Sequence, residues 1–557
     1  MTTVPIEVSK FNSLSARNWL LLILGCLTLF LPGFASIPPT DRDESRYVVT
    51  SERMADTGDF VDLRLQDRPR YLQPAGIYWL QATAAIVLDS PAHDSIWAYR
   101  VPSLLGALLA VLMTAWIGAY FFGRNAGLVA AGLLAACFSL NFEARIAKID
   151  AALLASVLAA QIALMRAYVE PSVKRWVSAQ FWAALGVGLM LKGPLILIVT
   201  GSTIAALVIW DRKIAWLRNL RPVWGPLITL AIAVPWFVAI GVITDGAFYE
   251  RALMRNFLGK VGAGEQGHSG PPGYHLALFL FVFWPGSLLV LKSLGFVWRE
   301  RLTPAVRFLI CWIVPTWIVF EFVATKLPHY VLPTYPALAL LAGAALFAAS
   351  RPSPSPLGRF AFAAACILWL VASALMASGA SVLLWITEHQ LNGLAIALGA
   401  ASFAAACFAV WSLSQHRERR AVGAMIVAAI FAWSGVFGVA FPGAHSVWMS
   451  PRIAATARAA LACENGVLVT SPYSEPSLIF LFGRERTQLA ESGADAADML
   501  ARVTTCGVAL IGAVEQPDFI ARARALNLSV QPVNTIEGRN YSNGDELSLT
   551  LYSTPVR

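Results

Sequence analysis

The chain has 557 residues, of which 57% are hydrophobic and only 13% charged, with a formal net charge of +9 at neutral pH. About a quarter of residues are charged in a soluble globular protein, so this composition excludes that class and points to a polytopic membrane protein. The Lys and Arg lie in short gaps between apolar runs and form no continuous basic face, which excludes a nucleic-acid partner and fits the enrichment of cations on the cytoplasmic side of a membrane.

Lys10 and Arg17, followed by an apolar run from Trp19, imitate a cleavable signal peptide, but the many spans that follow make this an uncleaved first helix. Runs of the bilayer-crossing length of about 20 residues predict about 13 helices, near residues 18–37, 98–122, 125–141, 150–169, 176–192, 194–210, 224–243, 274–297, 305–324, 329–349, 358–385, 391–413 and 420–441. With the N-terminus in the cytoplasm, the cytoplasmic gaps hold Arg124; Arg166, Lys174 and Arg175; Arg212, Lys213, Arg218 and Arg221; Arg299 and Arg301; Arg351 and Arg359; and Arg417, Arg419 and Arg420. Every one of these gaps is basic. The opposite gaps are a long loop over 36–96, then 143–150, Lys192, 245–274, 326–329, and Glu388 with His389, and they are mixed in sign, sparse in charge or long.

An odd number of spans places the tail, 442–557, on the outer side as well. Pro451 to Leu461 and Pro517 to Leu526 read as helices, and Val467 to Thr470, Val508 to Ile511 and Leu547 to Tyr552 as strands. The chain thus divides into a transmembrane region, 1–441, and a small extracytoplasmic α/β domain, 442–557. Of seven cysteines, Cys463 and Cys506 alone lie in the tail, where an oxidising compartment permits a disulfide between them. No internal repeat is evident, and its absence weighs against a transporter fold.

Candidate chemistry gathers on the outer face. Asp41-Arg-Asp43-Glu44-Ser-Arg46-Tyr47 follows the first span at headgroup depth, where carboxylates and guanidinium groups suit a lipid-linked anion; a solvated loop with internal ion pairs is the plainer alternative. Asp41-x-Asp43 also resembles the DxD of nucleotide-sugar transferases, a pair too short to assign anything. Glu143-Ala-Arg145-Ile-Ala-Lys148-Ile-Asp150 puts charges where a span begins; such groups are functional candidates by default, although Asp150 is equally placed as a helix cap. Lys192-Gly-Pro joins two spans. Thr325-Lys326-Leu-Pro-His329-Tyr330-Val-Leu-Pro-Thr-Tyr-Pro336 has three prolines within nine residues, and irregular backbone at membrane depth is tolerated where it lines a wet cavity. Separate loops therefore converge on one face, as a shared active site requires.

Asp43-Glu-Ser-Arg-Tyr47, Gly58-Asp59, Pro74-Ala-Gly-Ile-Tyr-Trp-Leu80, Asp150, Lys192-Gly193 and Lys326-Leu-Pro-x-Tyr-x-Leu-Pro-x-Tyr-x-Pro, taken in order, resemble the GT-C membrane glycosyltransferases of the protein-mannosyltransferase superfamily, in particular the lipid A 4-amino-4-deoxy-L-arabinose transferases. The resemblance implies a GT-C transmembrane domain, a polyprenyl-phosphate sugar donor of the undecaprenyl type, and a periplasmic acceptor such as lipid A or another envelope glycan. It also implies a bacterial inner-membrane location and Asp43 as the catalytic carboxylate. One departure stands out. The aminoarabinose transferases carry Glu-Lys before the proline of the first loop, the Lys being expected to hold the donor phosphate, whereas this chain has Leu72-Gln73-Pro74. Arg70, Lys192 or the Arg145 and Lys148 pair then supplies the cation, or the donor differs.

Transfer from a polyprenyl phosphate needs cations for the departing phosphate and a carboxylate for the acceptor. The expected catalytic residues are Asp43, Asp150 and Glu44. The expected phosphate-binding residues are Arg46, Tyr47, Lys192, Lys326, Tyr330, Arg70 and Gln73, with Arg145, Lys148, His268 and His329 at the acceptor or a lid. The glycine-rich segment 259–273 is either that lid or a linker. His268 and Glu265 with Asp43 could hold a divalent ion, but no HExxH or CxxC spacing supports one, and no metal ligand or cofactor is assigned. Protein Ser or Thr hydroxyls as acceptors, or transport of a lipid-linked sugar without bond cleavage, are the rival functions.

Overall fold

Backbone N–H and C=O groups find no partner in lipid, so apolar segments must satisfy them internally as helices. The computed structural model, which describes residues 14–252, 270–348, 355–541 and 544–554, follows that rule. Among the described residues, eight helices are long and apolar enough to cross a membrane, or nine when the bent pair Tyr274–Val282 and Ser287–Glu300 is one span. Four further apolar helices, Ala16–Phe30, Gly76–Leu88, Arg124–Ala136 and Leu195–Asp211, are shorter. The chain is a multi-pass membrane protein; among the described residues the helices of full bilayer length number eight or nine, which does not confirm the expected count of 13.

Eight helices and a short β pair build the end of the bundle that matters here. The first helix, α1 (Ala16–Phe30), is followed by α2 (Asp43–Thr57), a short antiparallel pair β1 (Arg64–Leu65) and β2 (Arg68–Pro69), and α3 (Gly76–Leu88). The sequence reading treats all of 36–96 as loop. It misses α3 because 13 apolar residues rise only about 20 Å, short of a bilayer, and α2 because its polar residues break any apolar run. Asp43 and Glu44 occupy the first turn of α2, where carboxylates oppose the helix dipole favourably. Then come α4 (Ile96–Phe122), α5 (Arg124–Ala136), α6 (Phe138–Glu143), α7 (Asp150–Val169) and α8 (Arg175–Lys192).

Small residues let these helices cross closely. A Cβ on Gly106 of α4 would lie 2.6 Å from the Ala152 backbone nitrogen at the start of α7, and one on Gly76 of α3 would lie 2.6 Å from the Met190 carbonyl near the end of α8. Asp150 and Lys192, at those two helix ends, are thereby brought against the segment that follows α1.

That segment is anchored by a buried ion pair. Arg100, inside α4, donates from Nε to Glu44 Oε1 at 2.8 Å and from Nη2 to Glu44 Oε2 at 3.1 Å, and both side chains are fully buried. The guanidinium also donates to the carbonyls of Phe34, Ile37 and Pro38, while Glu44 accepts from the Thr40 backbone and hydroxyl and from Ala147 N–H at 2.8 Å. One pair thus ties the segment after α1, the start of α2 and the loop before α7 to α4.

The tail forms a five-stranded sheet in the order β4 (Thr487–Leu489), β3 (Val467–Ser471), β5 (Gly507–Gly512), β7 (Glu546–Ser553) and β6 (Gln531–Arg539); β4, β3 and β5 are parallel, and β7 and β6 antiparallel. The three expected strands are present. Strand β4 is only three residues long, and β6 lies exposed at the edge with no apolar alternation to reveal it. Cys463 and Cys506 are joined in a disulfide, with Cα atoms 6.1 Å apart. The helix Pro476–Phe482 packs Ile479 and Phe480 against Val48 and Val49 of α2 and Tyr99 of α4.

Removing one partner of a buried ion pair leaves an uncompensated charge and costs roughly 3–5 kcal/mol. Arg100→Met is therefore expected to lower stability by about that amount in detergent denaturation, and adding Glu44→Gln to it should recover part of the loss; equal losses in the single and double variants would contradict a mutual pair.

Candidate active site

Asp43 opens α2 directly after Arg42, a non-glycine residue at φ 61°, a left-handed conformation that side chains rarely adopt. The turn leaves the Asp43 carboxylate 64% exposed at a mouth whose floor is ionic. Glu143, at the end of α6, is 1% exposed in its side chain, and Asp150, at the start of α7, is 9% exposed. Lys148 Nζ lies 3.9 Å from Asp43, 3.7 Å from Glu143 and 4.0 Å from Asp150, and Lys192 Nζ from the end of α8 donates to Asp150 Oδ1 at 2.5 Å.

The proline-rich stretch supplies the remaining wall. Pro328–Thr334 is a short 3-10 helix that carries His329 and Tyr330. The imidazole bridges two carboxylates, with Nδ1 3.6 Å from Glu143 and Nε2 3.6 Å from Asp150. The Lys192 ammonium stands 5.7 Å over the Tyr330 ring, a cation–π contact.

A second group flanks Asp43. Tyr47, one turn on from Asp43 in α2, donates its hydroxyl to Gln73 Oε1, and the Arg70 guanidinium lies 5.3 Å over the Tyr47 ring and donates to the Tyr78 hydroxyl at 3.3 Å. Burial, with the Arg70 charge beside it, holds Arg46 below its ordinary pKa. Two neighbouring guanidinium groups of this kind favour an anion between them. Gln73, where the resemblance leads to an expected Lys, accepts from Tyr47, and Arg70 brings a cation to the same tyrosine.

Other expected site residues have different tasks. Glu44, expected to be catalytic, is sealed in the Arg100 pair with no exposure. Arg145, expected at the acceptor or lid, turns away from the carboxylates: it donates to the carbonyls of Leu29, Pro32 and Asn141 and stacks 4.3 Å over the Phe437 ring, closing the end of α1. Lys326 is buried and donates to the Val323 carbonyl at 2.7 Å rather than to the carboxylate group. His268 and Glu265, and most of the glycine-rich segment, lie outside the described residues. Among the described residues, the potential metal-ligand set is Glu143, Asp150 and His329, whose ligand atoms all lie within 4.8 Å of one another.

Sequence reasoning undervalued Glu143, Arg100 and Asp41. A charge within an apolar run was the available signal for Arg100. Asp41 gives no such signal, because its partners lie far along the chain: Ser477 donates to its carboxylate, and its backbone N–H donates to the Tyr541 hydroxyl at 2.5 Å.

The comparisons with known proteins agree with this architecture. Residues 39–245 match a family model described as dolichyl-phosphate-mannose-protein mannosyltransferase. An undecaprenyl phosphate-alpha-4-amino-4-deoxy-L-arabinose arabinosyl transferase of Yersinia pestis (strain Pestoides F) is 26% identical over 309 residues, 54% of each chain, and one of Pseudomonas paraeruginosa (strain DSM 24068 / PA7) is 25% identical over 347 residues, 61% of each. The chain thus spans about half the length of the curated relatives it matches. The crystal structure of ArnT from Cupriavidus metallidurans bound to undecaprenyl phosphate superposes with a TM-score of 0.72 at 18% identity, covering 97% of this chain and 98% of that one. An oligosaccharyltransferase of Archaeoglobus fulgidus gives 0.53 at 11% identity, covering 93% of this chain and 69% of that one. The chain is therefore a membrane protein of the GT-C glycosyltransferase fold. Within that class it is similar to the lipid A aminoarabinose transferases.

Asp41 also links this site to the tail. Burial lifts its pKa to about 7, against the opposing Ser477 hydrogen bond. A carboxyl whose pKa is raised on folding contributes stability that is full below its ordinary pKa and is lost as pH rises through the folded value. Docking of the sheet domain on the segment after α1 should therefore loosen progressively as pH rises from the ordinary carboxylate value, near 3.8, to about 7, and change little above that. Hydrogen exchange over 473–480, corrected for intrinsic rates, is expected to quicken across that window in the native protein and to stay flat in Asp41→Asn. Equal pH responses would remove Asp41 from the linkage.

Proposed function

We propose that the chain is an inverting glycosyltransferase that moves a sugar from a polyprenyl-phosphate donor to an acceptor hydroxyl or phosphate oxygen of lipid A at the outer face of the bacterial inner membrane. The observation that carries this reading is the gathering of Asp43, Arg46, Arg70, Lys148, Asp150 and Lys192, from separate segments, around one open mouth. The names of the relatives support an undecaprenyl-phosphate donor carrying 4-amino-4-deoxy-L-arabinose. The basic gaps, together with a disulfide in the tail, support a periplasmic mouth and tail, since disulfides persist in oxidising compartments.

In this mechanism the acceptor oxygen attacks the anomeric carbon as the bond from that carbon to the phosphate oxygen breaks, and polyprenyl phosphate leaves. Arg46 and Arg70 on one side and Lys192 on the other stabilise negative charge growing on the phosphate, in a site where preorganised donors act more strongly than in water. Asp43 orients the acceptor and takes its proton where that oxygen is a hydroxyl. Asp150 holds Lys192 in place. A single attack from the face opposite the phosphate inverts the anomeric carbon. A phosphate monoester is already a competent leaving group, so the reading calls for no general acid and no cofactor.

Purified protein given undecaprenyl-phosphate aminoarabinose and lipid A should form aminoarabinose-modified lipid A, detected by mass spectrometry, and Asp43→Asn should slow transfer by about 10²–10⁴-fold. Modification of peptide hydroxyls in place of lipid A would move the acceptor to protein, and movement of intact donor across vesicles without cleavage would make the chain a transporter. Arg70→Ala is expected to raise the donor KM by about tenfold, the loss of one charge-assisted contact, while Gln73→Lys should preserve or improve donor binding. An unchanged donor KM in Arg70→Ala would take that guanidinium out of phosphate recognition.

A further inference from the structure

Three carboxylates at the mouth share one ammonium. Lys148 Nζ is nearly equidistant from Asp43, Glu143 and Asp150, at 3.7 to 4.0 Å, and so stands among them rather than on any one. Its backbone is fixed on both sides. The Lys148 carbonyl accepts from Ser103 Oγ at 3.0 Å, the Lys148 N–H donates to the Ile146 carbonyl at 2.8 Å, and the adjacent Ala147 N–H donates to Glu44.

Without that ammonium, two of these carboxylates and the His329 imidazole make a donor set for a divalent cation. Ligand atoms of Glu143, Asp150 and His329 lie within 4.8 Å of one another, and ligands on opposite sides of an ion with bonds of about 2.0–2.6 Å stand about 4–5 Å apart. Glu143 Oε2 is buried with no hydrogen-bond partner among the described residues, so the set has a lone pair to offer. Carboxylates crowded like this repel, and a cation standing between them relieves the repulsion. Lys148 and Lys192 match two of the three negative charges, and an incoming dication would meet an ammonium a few ångströms away.

We propose that Lys148 is a built-in counter-cation that takes, at this mouth, the place of a divalent metal ion among Glu143, Asp150 and His329, and so holds the neighbouring Asp43 carboxylate aimed without a metal. It is a positioning residue: it acts on the acceptor through Asp43. The inference rests on the reading of Asp43 as the acceptor-activating carboxylate, but ion binding tests it without turnover.

Mn²⁺ titrated into the purified full-length protein, with free Mn²⁺ read by electron paramagnetic resonance, separates the outcomes. Lys148→Ala is expected to bind one Mn²⁺ at least about tenfold more tightly than the native protein, as removal of a cation from a carboxylate set should allow. Transfer should fall about a hundredfold in Lys148→Ala, return in part with Mn²⁺, and largely survive in Lys148→Arg, which keeps the charge. Chelators should leave native transfer unchanged. Native protein that binds Mn²⁺ as tightly as Lys148→Ala, or loses transfer on chelation, would overturn the proposal. Lys148→Gln, matched to native by melting and gel filtration, serves the same titration should the alanine variant misfold. Tight Mn²⁺ uptake by the Lys148 variants, in a native protein inactive on every donor, would uphold the counter-cation and refute the transferase reading instead.

Discussion

Everything at the mouth depends on the Glu44–Arg100 pair. Arg100 lies inside a 27-residue apolar helix, where a lone guanidinium would be costly, and its donors go to one carboxylate and three carbonyls. Because Glu44 directly follows Asp43, fixing one fixes the other. Because Glu44 also accepts from Ala147 N–H, the same bond network sets where Lys148 begins. A buried pair contributes little net stability compared with an apolar substitute, but it specifies one arrangement. Here that arrangement joins the first outer segment to the loop before α7.

Charge at the mouth is arranged in depth. Glu143 and Asp150 are buried with two lysines and an imidazole between them, while Asp43 projects into solvent. Buried anions matched by cations form a rigid floor, and an exposed carboxylate above them remains able to meet an acceptor. The guanidinium groups of Arg46 and Arg70 stand to one side, near the Tyr47–Gln73 contact. An anion entering there would relieve their mutual repulsion, and the proposed donor phosphate would therefore favour that side. Where the resemblance implies a Lys at position 73, Arg70 thus places a cation a few residues away.

The tail is built against this apparatus. Ile479 and Phe480 cover the back of α2, and Ser477 and Tyr541 hold Asp41, two residues before Asp43. The sheet domain thus bears on the same turn that aims the exposed carboxylate.

By itself the sequence determined the class of the protein. Apolar runs of bilayer length and basic gaps between alternate spans are local properties, and so are the short strands of the tail and the charged motifs in the other gaps. What it left open was pairing. Glu44 and Arg100 are 56 residues apart, Asp41 and Ser477 436 apart, and no periodicity links them. Arg145 and Lys148 read alike in the sequence, three residues apart in one loop, yet one closes a helix end on backbone carbonyls and the other enters the carboxylates. Only the tertiary structure decided that, because a buried charge takes its role from whichever partners the packed helices bring within a few ångströms, and those partners come from distant parts of the chain.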